Sequence, residues 1–406
     1  MQQLPRMPAS IWVLGFVSML VDISSEMVHG LLPMFLVTTM GASVFMIGLI
    51  EGIAESTALI LKVFSGAYSD YIGKRKVLAV AGYALSAFTK PVFPLATSIP
   101  FVLGARFIDR IGKGVRDAPR DALIVDITPP EMRGAAFGLR QSLDTIGAFL
   151  GPLIAVGLML LWANDFRAVF WVATVPAVIA LLLLVLAVHE KPQQDEVLNA
   201  NPLSWKSLKH IGIRYWFVVG MGAIVGLARF SDAFLILRAF ETGIPMAWVP
   251  LIMVMMNVVY AATAYPLGDL SDRMNHTTLL MAGLVILGLS NLCFAMGTHW
   301  VYVIGGVSLW GLHMGITQGL FASMIASSAP PDLRGTAFGF YNMVLGFAML
   351  ISSGLAGFVW DRWGAIYTFA ISAGFCVIAI VVLLGANLVF EKDFLIKNML
   401  HPLNKD

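Results

Sequence analysis

The chain has 406 residues, 58% of them hydrophobic and 12% charged, with a formal net charge of +2. Ordinary globular proteins are charged at about a quarter of positions, so a soluble multidomain protein is excluded, and the small net charge names no polyanionic partner. The two cysteines, Cys293 and Cys376, lie in separate apolar runs and form no disulfide or metal framework.

Twelve helices are predicted in chain order, near 10–37, 44–66, 77–97, 100–127, 134–162, 166–188, 214–240, 246–267, 278–298, 300–327, 335–360 and 363–390. Runs such as 169–188 and 365–390 reach the roughly 20 residues that cross a ~30 Å hydrocarbon layer. The opening MQQLPRMPAS lacks a cleavable apolar core, so the first span is expected to be retained. A polar stretch at 189–213 divides the spans six and six. The expected class is therefore an all-α membrane protein: an N-terminal six-helix bundle over 1–188, a cytoplasmic linker over 189–213, and a C-terminal six-helix bundle over 214–406 with a short cytoplasmic tail. Placing the N-terminus inside puts fourteen Lys and Arg in the inner connections and two, Arg167 and Arg362, in the outer ones. That asymmetry predicts both termini on the cytoplasmic side of a plasma membrane, a bacterial inner membrane by expectation.

The halves repeat at an offset near 201. PPEMRGAAFGL at 129–139 returns as PPDLRGTAFGF at 330–340, and GAYSD at 66–70 returns as GDLSD at 268–272. Parallel repeats of this kind place a substrate site near the midplane between them and let the halves rock.

The stretch GAYSDYIGKRK (66–76) resembles the loop signature of the major facilitator superfamily, with Tyr71 where a basic residue is common. Arg110-Ile-Gly-Lys-Gly114, with Pro119, Asp126, Pro129, Arg133 and Gly134, resembles that family's fourth-helix pattern. The resemblance covers essentially the whole chain and implies secondary transport by alternating access. It also implies a gating role for Gly66, Asp70, Gly73, Lys74, Arg75 and Lys76, repeated by Asp272 and Arg273. For Lys74 to Lys76, a plain solvated basic loop is the alternative. In the fifth helix, Gly138, Gly147, Gly151 and Pro152 resemble the antiporter signature of the drug-exporting branch, although its closing Gly-Gly is Ala155-Val156 here. The reading is a helix-5 bend at Gly147, Gly151 and Pro152, or close packing by small residues.

Residues 105–124, ARFIDRIGKGVRDAPRDALI, hold five basic and three acidic residues inside the fourth helix. Their repeat counterpart, GVSLWGLHMGITQGLFASMI at 306–325, keeps none of these charges but keeps Gly114 as Gly315. The charges are thus an addition in one half, and at bilayer depth they must pair or face water. Arg106, Arg110, Lys113, Asp117 and Arg120 recur at helical spacing and form one stripe.

A proton-coupled carrier needs a carboxylate that takes up a proton near neutral pH. Asp22 and Glu26, four apart on the first helix, lead; Glu51 and Glu55 follow, and the resemblance adds Arg110. Static ion pairs are the alternative for all five. Cavity-lining candidates are Arg106, Lys113, Arg140, Asp144, Arg229, Asp232 and His313, the last more readily a packed histidine than a relay. An offset of 207 between helices 1 and 7 would set Arg229 opposite the place of Asp22. No phosphate loop, catalytic triad, metal site, cofactor motif or nucleic-acid signature is present, so no enzyme is expected. The expected partners are a small-molecule substrate, protons and the lipid bilayer, with the chain acting as a monomer. The leading reading is proton-coupled export of a small organic molecule. The alternatives are proton symport of an organic anion, metabolite or siderophore-like compound, and a non-cycling receptor of the same fold.

Overall fold

Side chains at loop exits start several of the helices. The Asp165 carboxylate accepts the backbone N–H groups of Arg167 (3.0 Å) and Ala168 (3.1 Å), and Asn275 accepts that of Thr277 (2.9 Å). Such caps satisfy donors that the first helical turn leaves unpaired. The computed structural model describes residues 7–72, 74–188, 211–330 and 333–400, so the predicted linker lies outside it except for 211–213.

Twelve spanning helices are described. In the N-half they are α1 (Ala9–His29, resuming as Leu32–Thr38), α2 (Val44–Ile72), α3 (Arg75–Thr89, then Val92–Leu95), α4 (Ile99–Ile127), α5 (Arg133–Leu161) and α6 (Phe166–Ala187). The C-half has α7 (Ile213–Ala228, resuming as Ala233–Glu241), α8 (Leu251–Arg273), α9 (His276–Met296), α10 (Trp300–Ser328), α11 (Arg334–Trp363) and α12 (Ala365–Leu400). Eleven of these are long and apolar enough to cross a membrane by composition alone. The other, α4, matches its counterpart α10 at 29 residues and differs by its charges. The starts of α3, α4 and α5 map onto those of α9, α10 and α11 at the same offset of 201.

Helix 7 was expected to run unbroken. It stops at Ala228 and restarts at Ala233, and helix 1 stops at His29 and restarts at Leu32. The restarts also correspond at 201, although helix 7 stops two residues earlier than that offset gives; this register replaces the 207 alignment and sets Arg229 against Val28 rather than Asp22. The freed groups of α7 find partners. Ser372 donates its hydroxyl to the Ala228 carbonyl, and the Ser231 N–H donates to Ser353 Oγ at 3.1 Å.

Glycines set the closest approaches between helices. A Cβ on Gly114 would lie 2.7 Å from Leu61 of α2, and one on Gly315 would lie 2.3 Å from Thr263 of α8. The paired glycines therefore perform the same packing in each half. Along the seam between halves, α2 meets α11 from Gly357 on Phe45, through Gly48 on Ser353, to Gly339 on Val63.

The core is asymmetric from face to face. Away from the termini, one cluster draws on both halves, joining Leu31, Phe35 and Ile47 to Phe234, Val249 and Trp360. Towards the termini there are two separate clusters, one around Leu14, Tyr83 and Leu123 and one around Tyr215, Leu280 and Leu320. The apolar core is thus shared between the halves on the far face and split in two on the face of the termini.

Candidate functional site

The charged stripe of α4 packs against α2 and α3, and most of it is paired. Arg106 sends Nε to Glu51 Oε1 (3.1 Å) and Nη2 to Oε2 (2.7 Å), with His29 Nδ1 also 2.7 Å from Nη2. Arg106 and Glu51 are each 1% exposed. Lys90 of α3 binds Asp109 at 3.2 Å and donates to Ser25 Oγ. Arg110 lies 3.4 Å from Glu55, whose side chain is 26% exposed. Arg116 stacks 4.8 Å from the Tyr83 ring centroid and donates to Ser86. Arg120, Asp117, Asp121, Arg140 and Asp144 form one chain, with Arg140 3.2 Å from Asp144.

Arg106 and Glu51, expected to line the cavity and to carry protons, are therefore an enclosed bidentate pair. His29 supports it: a guanidinium has no acceptor, so Nδ1 must present its lone pair to Arg106 and the ring hydrogen sits on Nε2. Sequence reasoning did not assign the partners of His29, Ser25 and Lys90, because residue spacing along one helix does not say what a neighbouring helix places opposite.

Against this paired background, six charged side chains inside the described spans, away from the helix ends, make no hydrogen bond or ion pair: Asp22, Glu26, Lys62, Lys113, Arg229 and Asp232. Asp22 and Glu26 are half-buried on one face of α1. They sit where α5 comes closest: a Cβ on Gly147 would stand 2.9 Å from that of Asp22, and one on Gly151 would stand 2.8 Å from that of Glu26. The glycines of the antiporter-like pattern thus lie directly behind the two carboxylates, and α5 passes Pro152 as a single helix. Lys113 and Asp144 lie within electrostatic reach of Asp22. In the C-half, Arg229 and Asp232 bracket the interruption of α7, and Glu26, His29 and Glu55 lie within electrostatic reach of Asp232 from the other half. His313 is fully buried, with Nδ1 2.9 Å from the Gly283 carbonyl and Thr317 beside Nε2.

Of the residues that the resemblance assigns to gating, Arg75 lies 2.7 Å from Asp126 and donates to the Ala122 carbonyl, and Lys76 donates to that of Val185. Lys74 is exposed before α3, and Gly66 backs onto Ala118 of α4. Gly73 and the side chains of Asp70, Asp272 and Arg273 lie outside the described residues. A contact that sequence reasoning missed stands at the far face. Asp361, at the end of α11, accepts the N–H groups of Val44 (3.0 Å) and Phe45 (2.9 Å) and so caps α2 from the other half. Its signal was in the sequence: GFVWDRWG at 357–364 repeats the spacing Gly-x3-Asp-x2-Gly of GAYSDYIG at 66–73.

The family model of the Major Facilitator Superfamily matches residues 14–258 and 231–397. The chain belongs to that superfamily. As a superfamily member it is 32% identical over 362 residues to an uncharacterized MFS-type transporter of Methanocaldococcus jannaschii, covering 86% of this chain and 88% of that one. It is 25% identical over 361 residues to the multidrug resistance protein MdtH of Photorhabdus laumondii, covering 87% and 88%. The solved structure of the nucleoside transporter NupG shares the fold, with a TM-score of 0.73 at 15% identity, covering 93% of this chain and 99% of that one. The chain is thus a multi-pass membrane transporter of this superfamily.

Proposed function

We propose that this transporter couples proton movement to the export of a small organic molecule across the inner membrane, with both termini in the cytoplasm. The observation that carries the reading is the pair Asp22 and Glu26. In a bundle whose other acids mostly have cationic partners within 4.0 Å, these two on α1 have none, and both are half-buried. An unpaired carboxylate at bilayer depth is costly as an anion, so it readily exchanges a proton when the cavity changes sides. Export is favoured by the glycine pattern of α5 and by similarity to a relative named for multidrug resistance. The basic bias of the inner connections supports the orientation. A bundle closed at the far face and divided at the face of the termini is then an inward-open carrier.

The test is accumulation in inverted vesicles. An imposed proton gradient should drive substrate uptake and release lumenal protons. Asp22→Asn or Glu26→Gln should lower gradient-driven accumulation at least tenfold while substrate counterflow persists. Unchanged accumulation in both variants would remove these residues from the coupling path. Symport of an organic anion is the second reading, favoured by the unpaired Arg229; it would show uptake in right-side-out vesicles instead.

A further inference from the structure

We infer that the C-half cavity between α7, α10 and α11 binds the anionic group of an amphipathic organic anion, with Arg229 as its cation. The inference rests on the carrier reading and gives it a substrate class. The cavity holds about 290 Å³ and is lined by Arg229, Gln318, Asn342, Phe321 and Tyr341 among others, with no carboxylate in its wall. Every other described arginine in the interior of the spans, namely Arg106, Arg110, Arg116, Arg120, Arg140 and Arg238, has a carboxylate within 4.0 Å; Arg229 has none. Asp232, three residues on, acts on it only at a distance.

Guanidinium stays charged at any physiological pH and offers a planar fork that matches a carboxylate or phosphate. Two amides point the same way. Tyr260 donates to Gln318 Oε1 at 2.8 Å, which leaves the Gln318 NH₂ as a donor, and the Asn342 side chain is unpartnered. Phe321 and Tyr341 stack with centroids 5.9 Å apart and supply an apolar wall for the body of the ligand. One cation, two amide donors and an aromatic wall select a negative head on an apolar body.

The experiment uses the purified full chain at fixed pH without a gradient. It reads thermal stabilisation and calorimetric binding of 4-phenylbutyrate, octyl phosphate and naphthalene-2-sulfonate against the matched amide, alcohol and amine. The wild type should prefer at least one anion over its neutral and cationic matches by tenfold or more. Arg229→Gln should erase that preference and Arg229→Lys should keep part of it. Gln318→Glu, at an exposed position of the cavity wall, should also erase it and serves if Arg229→Gln does not fold. Equal binding of anion and amine, no anion bound by the wild type, or a preference surviving Arg229→Gln and Gln318→Glu would overturn the inference. Asp22→Asn should keep the preference, so loss of gradient-driven transport in that variant concerns the coupling reading alone.

Discussion

Arg106 and Glu51 fix the terms on which charge is held in this membrane protein. Their bidentate pair is fully enclosed, with His29 as a further acceptor. Removing one partner of such a pair strands a buried ion, which costs about 3–5 kcal/mol, whereas removing both with an apolar filling costs far less. Glu51→Gln should therefore lower the thermal unfolding temperature in detergent markedly, and the double variant Glu51→Gln with Arg106→Met should recover most of the loss. Asp22→Asn should differ in kind. With no partner to strand, it should not lower the unfolding temperature, while coupling is lost. The helices that carry Asp22 and Glu51 and the helical stripe of α4 were legible from spacing. Which acid met which base was not, because that depends on the rotation of α2 against α4.

Gly147 and Gly151 show what a helix contributes beyond its own sequence. A Cβ on Gly147 would stand 2.5 Å from the Met19 carbonyl as well as near Asp22. Gly147→Val should push α5 off α1, cost about 1–3 kcal/mol through overpacking, and impair transport even though no charge changes; unfolding midpoint and vesicle transport measure the two effects. At the far face, the Asp361 cap on α2 joins the halves through two N–H groups. A helix cap contributes about 1 kcal/mol, and the positive helix end adds to it. Asp361→Ala should then raise the population open at that face severalfold. Faster reaction of a membrane-impermeant maleimide with a cysteine at Ala247, which is 6% exposed in the shared core, would report it. Twelve spans, their division six and six and the repeat offset were legible because apolar length and repeated motifs are carried by the chain itself. The interruption of α7 was not, because Phe230 to Asp232 interrupt the apolar pattern too briefly, and the bonds from Ser353 and Ser372 that support it come from distant helices.

At the scale of the molecule, the single core of the far face and the divided cores of the other make opposite demands during a cycle. If access alternates, the contact between Gly30 of α1 and Pro250 at the head of α8 must separate, since it joins the halves on the closed side. A Cβ on Gly30 would lie 3.4 Å from Pro250 Cβ, close to the 3.5–4.5 Å typical of disulfides. Gly30 has ordinary helical backbone angles, with φ −65°, so a cysteine there adds no backbone strain. With Cys293 and Cys376 replaced by serine, Gly30→Cys and Pro250→Cys should crosslink on mild oxidation. Oxidised vesicles should lose transport by more than tenfold and regain it with reductant, while each single variant transports before and after oxidation. Ligand binding should survive the crosslink, because the cavity at Arg229 lies on the divided side of the bundle. Transport that persists through complete crosslinking would mean that the far face need not open, and the rocking of the two halves would have to be abandoned.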